Sequence, residues 1–290
     1  MTRNHATGIG FIAVLLWALL ALFTVGSAPT PPFLLNTLCF TIGGTLGLIW
    51  TARTGALGSL RNVPLPVYVF GTLGLFGYHV LYFSALRLAP AAEAGLIAYL
   101  WPLLIVVFSG FLPGERLRAG HLIGALVGFS GAALIIMGGG AGFSTQYAIG
   151  YALAFLCALT WSGYSVLSRL VGDAPTATVT VFCLATAALS LPLHLMLEET
   201  VFPDTTFGWA SILGLGVGPV GLAFFVWDIG VKQGDIQLLG TSSYAAPLLS
   251  TLVLVLFGVA TASATLIWAA LLITGGAVIA ARASLSSPQI

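Results

Sequence analysis

Apolar runs of about 20 residues, separated by brief clusters of Pro, Gly, Asn and charged residues, follow one another along this entire sequence. A helix needs roughly 20 apolar residues to cross a bilayer. On that criterion the pattern predicts ten helices, at about 7–26, 32–52, 64–88, 91–112, 119–138, 147–170, 176–197, 208–231, 236–258 and 262–282. The breaks are turn-rich: Ala28-Pro29-Thr30-Pro31-Pro32, Arg61-Asn62-Val63-Pro64, Pro113-Gly114-Glu115-Arg116 and Gly138-Gly139-Gly140. Connections are short throughout, so no soluble domain is expected. Arg3 before an apolar run ending near Gly26-Ser27-Ala28 imitates a secretory signal. The length of that run, and a counterpart around Trp161, favour a helix that is retained.

The pattern also repeats. At an offset of 145, Tyr99-Leu100-Trp101-Pro102-Leu103-Leu104 falls on Tyr244-Ala245-Ala246-Pro247-Leu248-Leu249, and Gly131 falls on Gly276. At a slightly drifted offset Trp17 meets Trp161, and Ala28-Pro29 meets Ala174-Pro175. Five crossings is an odd number, so the second copy enters the bilayer from the opposite face. The expected fold is an all-α membrane protein of ten transmembrane helices, built as two inverted five-helix repeats, 1–140 and 141–290. Such repeats place a site near the midplane that opens alternately to each side.

Composition and charge support and orient this picture. Of 290 residues, 59% are hydrophobic and 6% charged, against about 25% charged in soluble domains. Lipid must therefore face most of the surface. A net charge of +1 excludes a basic nucleic-acid surface. The single lysine, Lys232, lies in no Gly-x-x-x-x-Gly-Lys sequence, so no phosphate-binding loop is expected. Cys39, Cys157 and Cys183 lie in apolar runs and read as small core residues, not a metal site or disulfide framework. No cofactor is expected.

With the N-terminus inside, Arg3, Arg53, Arg61, Arg116, Arg118, Arg169, Lys232 and Arg282 are cytoplasmic and only Arg87 is outside. That is a strong positive-inside bias, with both termini cytoplasmic. Inversion gives a second check. Glu115, Arg116 and Arg118 have Ala260, Thr261 and Ser263 as partners at offset 145, as expected if that loop changes face.

Two inverted five-helix repeats, each with Tyr before Pro in its fourth helix, resemble the drug/metabolite transporter superfamily, EamA-type branch. Leu112-Pro113-Gly114-Glu115-Arg116-Leu117 is similar to that branch's fourth-helix ending and following loop. The second half departs from it, with Gly258-Val259-Ala260 at the corresponding turn. Within the branch, the aromatic-rich helices resemble YddG-like aromatic amino-acid exporters. The resemblance covers essentially the whole chain. It implies a multi-pass protein of the bacterial inner membrane that exports aromatic amino acids and related small metabolites by alternating access.

Candidate site residues follow from what is costly inside a membrane. Pro102 and Pro247 lie within helices and give no N–H to the carbonyls of Ala98 and Ser243. Such freed carbonyls either hold a ligand or merely accompany a bend that shapes and gates the bundle. Tyr78 with Tyr82, and Trp161 with Tyr164, share helix faces. Trp17, Tyr78 and Tyr99 lie about 10 Å from a helix end at about 1.5 Å per residue, too deep for an interfacial belt. His79 is the deep titratable group; Asp228, with Lys232 four residues on, reads as an interfacial pair, and Glu93 as a helix-terminal charge. The substrate-binding set expected is Trp17, Tyr78, His79, Tyr82, Tyr99, Trp101, Trp161, Tyr164, Ser243 and Tyr244.

Without a midplane carboxylate, transport is expected to be facilitated diffusion or weakly proton-coupled through His79. Helices three, four, eight and nine are expected to rock, flexing at Gly71, Gly74 and Gly77 and at Gly214, Gly216 and Gly218. The Gly120-x-x-x-Gly124-x-x-x-Gly128 steps read as packing within the bundle or as the seam of a weak homodimer. Other readings stay open: export of other amino acids or lipophilic drug-like compounds on the same scaffold, an intramembrane enzyme, or a structural scaffold. The four histidines are scattered, which disfavours an enzyme. Deep Tyr and His disfavour a scaffold.

Overall fold

The computed structural model describes residues 1–137, 142–171, 173–261 and 263–285; the Gly138-Gly139-Gly140 break falls outside them. Among the described residues the protein is all helix, with ten helices long and apolar enough to cross a membrane. These are α1 (Arg3–Gly26), α2 (Pro32–Arg53), α3 (Leu65–Leu88), α4 (Ala91–Ser109), α5 (Ala119–Ile136), α6 (Thr145–Leu167), α7 (Thr178–Leu197), α8 (Thr206–Gln233), α9 (Ile236–Leu256) and α10 (Ala264–Leu285).

Local chemistry sets their ends. The Thr205 hydroxyl accepts from the Gly208 amide at 3.0 Å to start α8, and Asp235 accepts from Leu238 at 2.9 Å to start α9. Helix α4 stops at Ser109, earlier than the hydrophobic run. Gly110, Phe111 and Leu112 wind instead as tighter i→i−3 turns. The same tightening ends α6 at Leu167, with Arg169 and Leu170 bonded three residues back. Gly114 and Gly258 follow α4 and α9 with φ of 81° and 71°, left-handed turns that suit glycine.

Four helices are interrupted. The α4 helix breaks at Tyr99–Leu100, just before Pro102, and α9 breaks at Ser243–Tyr244, just before Pro247. The α1 helix breaks at Ala18–Leu19, after Trp17. In α8 the segment Gly218–Leu222 is a π-helix containing Pro219. Its wider turn accommodates a proline that cannot donate to the preceding turn. The irregularity thus sits at Gly218 and just beyond, rather than at Gly214 or Gly216.

Among the helix contacts are α5 on α10, α2 on α7, α3 on α6, α1 on α8 and α4 on α9, and α4 also lies along α6 and α2 along α8. The small-residue stripe of α5 faces α10 and α9 within the same chain. A Cβ on Gly124 would sit 2.5 Å from the Gly276 carbonyl oxygen, and one on Gly128 2.9 Å from the Tyr244 ring. The outer surface is apolar, with Leu73, Ile149, Leu213 and Leu271 exposed, as in a multi-pass membrane protein.

Arg3 reaches Glu115 at 3.1 Å, and the Arg118 guanidinium donates to the Ala283 carbonyl at 3.3 Å. Both described chain ends and the α4–α5 connection therefore share one face, called here the terminal face. At the opposite face the Glu198 side chain is buried. It accepts from the Phe33 and Leu34 amides that open α2, from Arg87 at 3.0 Å and from His194 Nδ1 at 3.1 Å.

Candidate functional site

Four tryptophans from four helices meet at the centre of the bundle. Trp17 (α1), Trp101 (α4), Trp161 (α6) and Trp227 (α8) make all six possible pairs, with ring centroids between 5.1 and 6.4 Å apart. Most are edge-to-face or tilted, as the ring quadrupoles prefer. The Trp17 indole N–H donates to the Pro219 carbonyl at 3.1 Å, in the π segment of α8. That of Trp227 donates to the Ser165 hydroxyl at 3.0 Å. These bonds fix two rings of the cluster.

Further rings extend the network from α3 and its neighbours. Tyr78 lies 5.5 Å from Trp161 and stacks at 6.0 Å on Tyr82, one helical turn along. Tyr99 lies 6.4 Å from Trp101, and Tyr164 lies 5.4 Å from Trp161. The His79 ring meets Phe40 at 5.0 Å and Phe224 at 6.4 Å. Its Nδ1 lies 2.7 Å from the Leu75 carbonyl, so Nδ1 carries the proton and Nε2 remains an acceptor. Trp17, Tyr78, His79, Tyr82 and Tyr99 keep part of their surface accessible, whereas Trp101, Trp161, Tyr164 and Trp227 are buried.

Eight of the ten expected binding residues are thus brought into one network. Ser243 and Tyr244 are placed differently. The Ser243 hydroxyl donates to the Leu239 carbonyl of its own helix at 2.8 Å. The Tyr244 hydroxyl accepts from the Leu103 amide at 3.0 Å, and its ring packs 5.9 Å from Phe129. Both residues are fully buried, and Tyr244 stitches the break of α9 to the break of α4. Pro102 and Pro247 lie at those breaks, and both are buried. The breaks differ: the Ser243 carbonyl accepts from Ala246 at 3.1 Å, so α9 takes up its own freed group. Tyr244→Phe leaves the half-buried Leu103 amide without its partner. It is expected to cost about 1–2 kcal/mol, measured as a lowered thermal midpoint of the purified protein.

Asp228 makes the expected pair with Lys232, at 2.9 Å. It is 2% exposed and accepts from the Thr176 hydroxyl at 2.7 Å. Lys232 also donates to the Ala174 carbonyl at 3.0 Å. Glu93 is likewise buried and accepts from the Gly142 amide at 3.1 Å.

Phe40, Phe83 and Phe224 belong to the network but were not among the expected residues. Phe224 stands at offset 145 from His79, the one sequence signal that pointed to it; Phe40 and Phe83 look like ordinary apolar helix residues. No group of three or more His, Cys, Asp or Glu suited to a metal occurs among the described residues. An open apolar groove of about 320 Å³, lined by Pro66, Val67, Phe70, Leu167, Leu170 and Val171, lies apart at the ends of α3 and α6.

Comparison with known proteins places this architecture. The chain is 54% identical to the aromatic amino acid exporter YddG of Ancylobacter novellus, over 97% of this chain and 98% of that one. It is 27% identical to the protein of that name from Escherichia coli K12, over 96% and 97%. The fold superposes on a solved crystal structure with a TM-score of 0.94 at 53% identity, covering 99% of this chain and all of that one. The EamA-like transporter family matches twice, over residues 6–137 and 148–282. The chain belongs to the EamA-like transporter family.

Proposed function

We propose that the protein exports aromatic amino acids across the bacterial inner membrane by alternating access, with its termini on the cytoplasmic side. The observation that carries this reading is the aromatic network at the bundle centre, in which partly accessible Trp17, Tyr78, His79, Tyr82 and Tyr99 surround buried tryptophans. A substrate ring lies against these faces in the edge-to-face and offset geometries the network itself adopts. His79 Nε2 accepts from the substrate ammonium. The α4 break offers the polar complement, because Trp101–Ser109 starts a fresh helix whose N-terminus favours a carboxylate.

Two inverted repeats, with boundaries near 1–140 and 141–290, are supported by the double family match and by the helix pairing. Exchanging each helix with the one five places on turns the pairs α1·α8 and α3·α6 into each other and leaves α2·α7, α4·α9 and α5·α10 unchanged. Residues related by the repeat also touch. Trp17 meets Trp161 at 5.9 Å, and His79 meets Phe224 at 6.4 Å. Contact between related residues is what a two-fold axis through the centre requires. The site then lies on that axis, the place that can face either side in turn.

Asp228 is already held by Lys232 and Thr176, so the coupling reading remains facilitated diffusion or weak proton coupling through His79. Purified protein in proteoliposomes is expected to exchange radiolabelled tryptophan and phenylalanine, in competition with unlabelled aromatic amino acids. An imposed pH gradient is expected to change accumulation little, and only while His79 is present. Strong uphill accumulation that persists in His79→Ala overturns the coupling assignment. Exchange restricted to non-aromatic amino acids or lipophilic compounds overturns the substrate.

A further inference from the structure

At the terminal face, a charge lattice joins helix ends that are distant in sequence. The Arg169 guanidinium, after α6, uses all three nitrogens. Nη1 pairs with Glu115 in the α4–α5 connection, Nη2 donates to the Gly234 carbonyl, and Nε donates to the Lys232 carbonyl at 3.3 Å. Arg3 of α1 adds Glu115 at 3.1 Å and Asp235 at 3.5 Å. The Asp235 amide donates to the Thr7 hydroxyl at 2.8 Å. One layer deeper, Asp228 and Lys232 of α8 hold Thr176 and the Ala174 carbonyl, in the segment leading into α7.

These ties share a direction. On one side stand α1 and the α6–α7 connection; on the other stand the ends of α4, α8 and α9. Opening this face by swinging α4, α8 and α9 away from α1, α6 and α7 must break all of them together. The α3–α6 seam, by contrast, already carries the open apolar groove. The opposite face lacks most of this lattice in register: at offset 145, Glu115 corresponds to Ala260, Asp235 to Pro90 and Asp228 to Phe83, while Lys232 alone has a basic counterpart, Arg87. There an Arg87–Glu198 pair crosses from α3 to α7, with Arg87 44% exposed.

We propose that this lattice is the gate of the terminal face and that Arg169 is its keystone, holding the resting transporter closed on that side. The proposal rests on the alternating-access reading and adds to it a lock and an asymmetry between faces. Arg169 is the member that bonds both to a carboxylate and to two backbone carbonyls. Its planar fork meets three acceptors that a lysine ammonium cannot reach at once. Arg3 is half exposed, so solvent weakens its contribution.

The test is thiol accessibility in the full-length protein. Cys39, Cys157 and Cys183 are replaced by alanine, and a reporter is placed by Val14→Cys. Position 14 is fully buried, about 4.5 Å of helix rise from Trp17 toward the terminal face. A polar maleimide is applied without substrate to folded protein selected by size-exclusion chromatography. Arg169→Gln is expected to raise the labelling rate roughly tenfold or more, the scale set by losing charged hydrogen bonds. Arg169→Lys is expected to give an intermediate rise.

The milder Glu115→Gln/Asp235→Asn variant is expected to move labelling the same way, and it carries the test if Arg169→Gln does not fold. Unchanged labelling in a folded variant overturns the gate. Because no substrate enters the measurement, raised labelling without tryptophan exchange refutes the substrate assignment alone.

Discussion

Trp161→Ala is expected to lower tryptophan exchange at least about a hundredfold, the equivalent of two lost aromatic contacts at about 1.4 kcal/mol each. Trp161 contacts Trp17, Tyr78, Trp101, Tyr164, Phe224 and Trp227, and is 3% exposed. Removing it detaches Tyr78, and through it Tyr82, from the tryptophans. Deleting a buried indole also costs about 3–5 kcal/mol of stability. Exchange must therefore be normalised to folded protein, and Trp161→Phe supplies the control. That variant keeps one ring in place and is expected to stay folded while losing about tenfold in exchange, one contact's worth. Trp209→Ala removes an exposed ring at the other end of α8 and is expected to leave exchange unchanged. Wild-type exchange by folded Trp161→Ala protein would remove the aromatic network from the transport path.

The spans were legible because apolar run length is a local property, and each of the ten helices carries it alone. So were the interruptions near Pro102 and Pro247, since a missing N–H acts on its own turn. Boundaries slipped where helices tightened into i→i−3 turns after Ser109 and Leu167, which hydropathy does not register. The network was legible as far as Trp, Tyr and His are conspicuous in a membrane.

Phe40 and Phe224, which stack at 5.5 Å, are conspicuous only once α2 and α8 are placed together. Ser243 and Tyr244 show the reverse: hydroxyls at membrane depth need partners, and theirs are the Leu239 carbonyl and the Leu103 amide. Least legible were the loop charges. In the sequence Glu115 and Arg169 stand out only as charges of connections on the terminal side, and nothing singles out Asp235. Their pairing depends on three connections converging. Burial pulls the Arg169 guanidinium below its ordinary value while Glu115 beside it pushes it back up. That competition is a property of the assembled face.

Gly124→Leu is expected to disrupt folding of the single chain, not merely its association with a second copy. The α5 helix lies on α10 at backbone contact: a Cβ at Gly124 would sit 2.5 Å from the Gly276 carbonyl oxygen and 3.0 Å from the Ala280 Cβ. Neither neighbour is the far end of a flexible side chain, so the helices themselves must separate. Overpacking costs about 1–3 kcal/mol where side chains can adjust, and here the obstacle is backbone. The purified protein is expected to melt on the order of 10 °C lower, or to be recovered in much lower folded yield.

Gly163→Leu is the matched control, because a Cβ there meets nothing within 4 Å, and it is expected to be nearly neutral. The two ways of using a small-residue stripe then separate in one measurement. A seam between two chains predicts that Gly124→Leu leaves monomer melting unchanged and abolishes only intermolecular cross-linking. Packing of α5 on α10 predicts the stability loss whatever the oligomeric state. Close approach is favourable in lipid because van der Waals packing, not exclusion of water, drives helices together there. Separating α5 from α10 forfeits that packing along the seam and draws Tyr244, seated against Gly128, away from the Leu103 amide at the break of α4.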